Sequence, residues 1–292
     1  MNMKIGVIYP QTEYSTSAAA VREFAQLAEA LGYSHILAYD HVLGANPAAH
    51  KLSGPYTHEH NFHEPFVLLS YFAAATTKIG LTTGVIILPQ RQAVLVAKQA
   101  ASLDVLADGR LRLGVGLGWN QVEYQALGMD MKTRGKRMDE QIALMRRLWT
   151  EPLFSFEGEF HSFNEAGLMP LPIQRPIPVW FGGHTEPMLK RAARIGEGWL
   201  PFARTPEEGR PFVESMLRHL EAAGRRRDSF GIDPRLNYED GEPAALARRC
   251  EAWQKLGATG ASLNTMGFGL KGDTAHLDAI TRAAKALGLK PA

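Results

Sequence analysis

The stretch Gly109-Arg-Leu-Arg-Leu-Gly-Val-Gly-Leu-Gly-Trp-Asn-Gln-Val-Glu-Tyr124 decides the fold. Leu111, Leu113 and Val115 alternate as a strand that buries one face. The strand runs into glycines at 114, 116 and 118, then Trp119 and Asn120. Glycine at a strand end removes side chains and lets the backbone approach something flat, or another chain, closely. Two readings stand at this point: a tightly packed strand-to-helix turn, or the floor beneath a cofactor.

The segments on either side repeat one rhythm. Before it, a strand at Lys4–Tyr9 leads to a helix over about 17–31, with Val21, Phe24, Ala25, Ala28 and Leu31 on one stripe and Gly32 as its stop. A second strand, His35–Tyr39, ends in Asp40-His41. The polar, irregular stretch 42–63 follows, too long for a simple connection and typical of a lid or binding loop. A helix opening at Glu64-Pro65 is expected to carry Val67, Leu68, Tyr71, Phe72 and Ala75. The apolar run 79–88 reads as a strand buried on both faces, and a helix over 91–106 leads into the opening stretch. After it come a short helix (122–127), a longer one (134–149), and a break in the rhythm at 150–176, where Phe154–Phe163 alternates about Glu157-Gly158 as a small hairpin. Strands at 177–181, 198–200, 232–238 and 260–265 then alternate with a helix that carries Met188, Leu189, Ala192 and Ile195 and stops at Gly196, and with helices at about 206–223, 243–256 and 274–287.

Eight strands, each followed by a helix, imply a parallel sheet, and eight such units in 292 residues point to α/β architecture of the (β/α)8 TIM-barrel type. We expect one barrel domain over 1–292, with the hairpin insertion 150–176 between helix 4 and strand 5. A doubly wound sheet is the alternative, but Tyr9-Pro10-Gln11 is no phosphate loop after the first strand. In a barrel, function gathers where strands end.

Composition narrows the classes. The formal charge of +2 offers no field for nucleic acid or anionic membrane. No run of about 18 apolar residues supplies a membrane span, and the start of the chain is too short in apolar residues for a signal peptide. Cys250, the one cysteine, precludes an intrachain disulfide and falls on the apolar side of a helix, as an inert core thiol does. A cytoplasmic protein is expected.

At the strand ends, His41 is a proton shuttle near neutral pH with Asp40 as the carboxylate that orients it, or a rim histidine that only hydrogen-bonds. Gly182-Gly183-His184-Thr185 opens a helix, so its backbone N–H groups and the Thr185 hydroxyl suit a phosphate, or form a plain turn with a threonine cap. Trp119 stacks on a planar ring or fills the rim. His58, His60 and His63 have a spacing that zinc accepts, but no strand precedes them and we assign no metal there.

Together these pieces resemble the luciferase-like monooxygenase superfamily, and within it the oxidoreductases that use coenzyme F-420. The resemblance rests on Asp40-His41, Thr82-Thr-Gly-Val-Ile86, Leu103-Asp-x-Leu-Ala-Asp-Gly-Arg-Leu111 and Gly114-Val-Gly-Leu-Gly-Trp-Asn-Gln-Val-Glu123. It continues through Arg134-Gly-Lys-Arg-Met-Asp139, Phe156-Glu-Gly-Glu-Phe160, Pro178-Val-Trp-Phe-Gly-Gly183 and Ala192-Ala-Arg-Ile-Gly-Glu-Gly-Trp199. It covers nearly the whole chain to about residue 201, and the end more loosely.

The resemblance implies a flavin or deazaflavin ring across the barrel mouth, with FMN and coenzyme F-420 both admissible. It places Asp40 and His41 by the reactive ring edge. It matches Gly84-Val85 to a strand-three bulge, often with a non-prolyl cis peptide, that backs the ring, and Gly182, Gly183, His184 and Thr185 to the phosphate loop. Gly116, Trp119 and Asn120 complete the expected cofactor contacts. Deazaflavin sugar-phosphate dehydrogenases carry a glutamate where this chain has Trp119, which favours an apolar or aromatic substrate here. Glu123, one turn further, is expected at the surface or behind the site. The expected function is a flavin- or deazaflavin-dependent oxidoreductase or monooxygenase acting on a small organic substrate, with a separate flavin or F-420 reductase as an expected partner, in a homodimer. The alternatives are a flavin-binding barrel without turnover and a metal-dependent hydrolase built on the three loop histidines.

Overall fold

The computed structural model describes residues 3–239 and 242–291. Its parallel strands are β1 (Lys4–Ile8), β2 (His35–Ala38), β3 (Gly80–Thr83) with β4 (Ile86–Ile87), and β5 (Leu111–Gly116). A separate antiparallel hairpin, β6 (Phe154–Glu157) and β7 (Ser162–Ala166), follows. The barrel resumes with β8 (Val179–Gly182), β9 (Gly198–Leu200), β10 (Gly231–Ile232) with β11 (Arg235–Asn237), and β12 (Gly260–Asn264). Two of the eight barrel positions are therefore made of split strands, and the barrel has the expected (β/α)8 order. Pairing runs from β10 through β9, β8, β5, β3, β2, β1 and β12 to β11, so the two halves of the seventh strand complete the circle from opposite sides.

The helices form as their sequences dictate. In α1 (Ala18–Ala30) the Ser17 hydroxyl accepts the Ala20 N–H, satisfying one of the free amides of the first turn. In α2 (Pro65–Ala75) Glu64 caps and Pro65 takes the first turn. The expected stripe on α2 needs correction: Phe66, Leu68, Leu69, Phe72 and Ala73 face the barrel, and Val67 is 69% exposed. The helix is apolar nearly all round, so periodicity does not choose its inner face. Further round lie α3 (Ala93–Leu106), α4 (Gln121–Ala126), α5 (Arg134–Thr150), α6 (Glu186–Ile195), α7 (Pro206–Ala222), α8 (Pro243–Leu256) and α9 (Gly272–Ala286). Cys250 is buried on α8, and burial pushes its thiol up to about 11, as an inert core residue requires.

The continuous strand expected over 79–88 is broken by a cis peptide between Gly84 and Val85. Thr83 bridges the break: its hydroxyl donates to the Gly114 carbonyl and accepts the Gly114 N–H, both at 2.8 Å. The seventh strand breaks at Asp233-Pro234, where proline has no N–H to donate to a ladder. Asp233 instead turns its carboxylate into the barrel, 2.9 Å from Arg112 and 3.0 Å from His35, and accepts the Ser262 hydroxyl. Despite burial, these partners hold the Asp233 carboxyl down at about 2, while burial keeps His35 below its ordinary value. Arg112 also lies 4.3 Å over the Trp180 ring.

Candidate active site

The third strand's break shapes the mouth. A Cβ at Gly84 would fall 2.0 Å from Leu37 Cδ2, so no other residue fits there without displacing Leu37. The next residue, Val85, lies over two glycines: Cβ atoms at Gly116 and Gly182 would sit 2.5 Å and 3.0 Å from its methyls. Gly118, at φ +69°, makes the same room for Ile87. The glycine run of the fourth strand is thus filled by the chain's own third strand. Gly116 and Gly182 form a shelf beneath Val85, and Val85 is the side chain above it. Val85, Tyr39 and Trp180 pack on a buried cluster of Ile8, Leu37, Leu200 and Met266, drawn from the strand ends around the circle.

Asp40 and His41, adjacent in sequence, part company. The Asp40 carboxylate is buried and takes the Arg91 guanidinium at 2.7 Å and the Ile87 N–H at 3.0 Å. Arg91 also reaches Glu64, the cap of α2, at 3.1 Å. Burial raises the Asp40 carboxyl above its ordinary value, opposed by Arg91. Asp40 therefore ties β4 to the strand-two end and does not orient His41. That partner is Glu123, whose Oε1 lies 3.4 Å from His41 Nδ1 and accepts the N–H groups of Val42 at 2.6 Å and Leu43 at 3.1 Å. Glu123 is 1% exposed, so of its two expected places it takes the one behind the site, not the surface. A carboxylate in the first turn of α4 would ordinarily cap that helix. Here Asn120 does so, accepting the Val122 N–H, which frees Glu123 to reach across the mouth.

The Asn120 amide is engaged at both ends, since its Nδ2 donates to the Leu43 carbonyl at 3.1 Å. It anchors the start of the 42–63 loop. That loop covers His41. The Tyr56, Phe62 and Trp119 rings stand 5.1, 4.9 and 5.4 Å from the imidazole, all edge-on. Trp119 also packs on the loop, because a Cβ at Gly54 would meet its ring at 2.3 Å. The space left between His41 and the loop is about 80 Å³, bounded by Gly44, Tyr56, His60 and Phe62. His60 directs Nδ1 to Thr57 at 3.1 Å. Among the described residues no three His, Cys, Asp or Glu side chains gather as a metal site.

Across the mouth, Gly182 ends β8 and Gly183 turns at φ +108°, a conformation that favours glycine. Thr185 precedes α6 with its hydroxyl making no capping bond, and His184 lies 5.1 Å from the Phe212 ring. Trp199 Nε1 pins the turn by donating to the Gly183 carbonyl at 2.6 Å. These groups fit a phosphate-bearing planar cofactor in kind: a flat apolar floor at Val85 and a helix start with an uncommitted hydroxyl.

A (β/α)8 barrel with this mouth and a hairpin before its fifth strand defines a class, and the chain belongs to it: residues 3–285 match the luciferase-like monooxygenase family. An uncharacterized protein of Mycobacterium tuberculosis is 38% identical over 233 residues, covering 74% of this chain and 80% of its own. The FMNH2-dependent dimethylsulfone monooxygenase of Pseudomonas putida is 28% identical over 252 residues, covering 84% and 66%. Among solved structures, the coenzyme F-420-dependent tetrahydromethanopterin reductase of Methanopyrus kandleri superposes with a TM-score of 0.79 at 16% identity, over 99% of this chain and 100% of its own.

Reading the sequence missed Arg91, Tyr56 and Phe62, and named Glu123 without its partnership with His41. Arg91 and Glu123 act through partners more than 25 positions away, which local spacing does not reveal. Tyr56 and Phe62 carried a faint signal, as large aromatics inside a stretch otherwise polar.

Proposed function

We propose that the barrel mouth binds FMN or coenzyme F-420 and that the protein uses it to oxidise or reduce a small apolar or aromatic substrate. The observation that carries this is the apolar shelf of Val85 on Gly116 and Gly182, sharing the Gly182 strand end with the helix start at Gly183-His184-Thr185. Val85 and Gly84 would back the planar ring. Gly182, Gly183, His184 and Thr185 would hold its phosphate through backbone N–H groups and a hydroxyl. Bound there, the ring supplies the redox chemistry; the protein contributes position, proton transfer and dryness.

His41 is the proton-transferring residue, set by Glu123, while Asp40 with Arg91 fixes the strand ends around it. Trp119, Tyr56 and Phe62 enclose the substrate and exclude water. The cleft of about 80 Å³ is far below the several hundred Å³ of small-molecule sites, so the 42–63 loop lifts for substrate to enter. We further propose one barrel domain with the 150–176 insertion, a cytoplasmic protein that binds no nucleic acid, and a separate flavin or F-420 reductase as supplier. We also propose a homodimer, supported by the exposure of Val67 on α2 and Val94, Leu95 and Leu106 on α3, which are 46–72% exposed.

The deciding experiment is a titration of the purified chain with FMN and coenzyme F-420, each oxidised and reduced. Binding of one in at least one state is expected; failure of all four sinks the proposal. Binding with no turnover on any of a substrate panel would favour a non-catalytic flavin-binding barrel.

A further inference from the structure

The second half of the seventh strand carries a charge that the function above does not use. In β11 the pairings are Arg235 with Ser262, Leu236 with Leu263 and Asn237 with Asn264. Leu236 is fully buried in the main core between strands and helices. Alternate residues of a strand face opposite ways, so Arg235 and Asn237 point into the barrel. Asn237 is engaged there, its Oδ1 accepting from Asn264 and its Nδ2 donating to the Arg204 carbonyl.

Arg235 is settled only in part. Its guanidinium lies 5.0 Å over the ring of Phe202, a side chain that is 64% exposed beside the barrel rim. Its Nε is buried and has no hydrogen-bond partner. Among the described residues no carboxylate lies within ion-pair distance of it. The acids at the mouth have other partners: Asp40 has Arg91, Glu123 has the Val42 and Leu43 amides, and Glu13 has the Gly267 N–H through Oε1 and His276 at 3.4 Å from Oε2. The guanidinium also hydrogen-bonds the Tyr39 hydroxyl, and together with its charge this partly offsets the rise that burial imposes on that phenol. Tyr39 in turn lies 6.5 Å from Tyr56 of the loop that covers His41. A half-buried guanidinium with an idle N–H, held flat on an aromatic face, is built for a planar oxyanion, which a guanidinium meets with two parallel hydrogen bonds.

We propose that Arg235 anchors a carboxylate, or another oxyanion of the same flat geometry, on the substrate of this mouth. The substrate is then an apolar or aromatic body between the ring backed by Val85 and the loop aromatics, with its anionic end turned to Arg235 and its reacting end to His41. The assignment rests on the proposed function for its setting, and the two are tested separately.

The probes are benzoate and benzamide, which share a ring and differ in charge. Their binding to the full chain is followed by tryptophan fluorescence, with and without saturating FMN, since Trp119 and Trp180 border the mouth. Wild type should favour benzoate about tenfold or more, the worth of one charge-assisted hydrogen bond. Arg235→Met should erase that preference, and Arg235→Lys should keep part of it. Equal binding of the two probes by wild type overturns the assignment without any variant, so misfolding of a variant cannot shelter it. So does an Arg235→Met chain that keeps the preference, or one that keeps it while losing FMN or F-420 affinity tenfold, which would give the guanidinium to the cofactor. Failure of wild type to bind either cofactor strikes the proposed function instead, and the benzoate comparison in the cofactor-free chain still reads Arg235.

Discussion

Removing the Glu123 carboxylate should unlatch the loop over His41. Glu123 Oε1 accepts two backbone N–H groups, from Val42 and Leu43, at the point where strand two gives way to the loop. A hydrogen bond to a charged acceptor contributes about 1.5 kcal/mol or more, so losing both costs about 3 kcal/mol of closure. That corresponds to a roughly 100-fold larger open fraction. Lys51 lies exposed within the loop and supplies the assay. Trypsin needs a locally unfolded segment, so its cleavage rate follows the open population when closing is fast. Glu123→Ala should raise cleavage after Lys51 by roughly 100-fold, with cleavage elsewhere little changed. Glu123→Gln retains a carbonyl oxygen for the same amides and should raise it by only a fewfold. An unchanged rate in Glu123→Ala would refute the latch, and an equal rise across the whole chain would show that Glu123 serves overall stability instead.

Three further outcomes follow from the same geometry. Gly116→Ala should destabilise the fold by about 1–3 kcal/mol in urea unfolding, because its Cβ meets Val85, and adding Val85→Ala should recover much of the loss. Asp40→Asn should cost about 3 kcal/mol by leaving Arg91 without its nearest carboxylate, while turnover per folded molecule changes less than tenfold; a large loss of turnover at unchanged stability would return Asp40 to the chemistry. Asp233, held at about 2 against an ordinary 3.8, binds its proton later in the folded chain than in the unfolded one. Its contribution, about 2 kcal/mol, is therefore complete above pH 4 and drains away as pH falls toward 2. Asp233→Asn should flatten the dependence of the urea midpoint on pH over that range, and an unaltered slope would show the carboxylate to be ordinary.

What could be read from the chain alone was whatever depends on neighbours in sequence. Strand and helix order is set by local periodicity, and Ser17, Glu64 with Pro65, and Gly32 mark ends by rules that act over one turn. The barrel then follows by counting. The site was legible to the extent that strand ends share one rim, which brought His41, Val85, Trp119 and Gly182 to the same face. What was not legible is which of two adjacent side chains turns inward. Asp40 and His41 differ by a half-turn of strand, and only the far partners Arg91 and Glu123 decide their orientations. The glycines misled for a related reason: a missing Cβ announces that something comes close, but not whether that something is a ligand or, as at Gly116, the valine of the next strand.

The divided seventh strand gives the cylinder a seam. Every other barrel strand holds both neighbours along one continuous run or through a bridged break, as at Thr83. At the seam, two residues grip β9 and three others grip β12, with Asp233-Pro234 between them. The hoop is thus fastened by a clasp, and the clasp lies between the buried ion cluster of Asp233 and the rim arginine Arg235. Charge at the barrel's centre and anything gripped at its rim bear on the same two joints, so occupancy of the mouth and integrity of the wall are mechanically one problem.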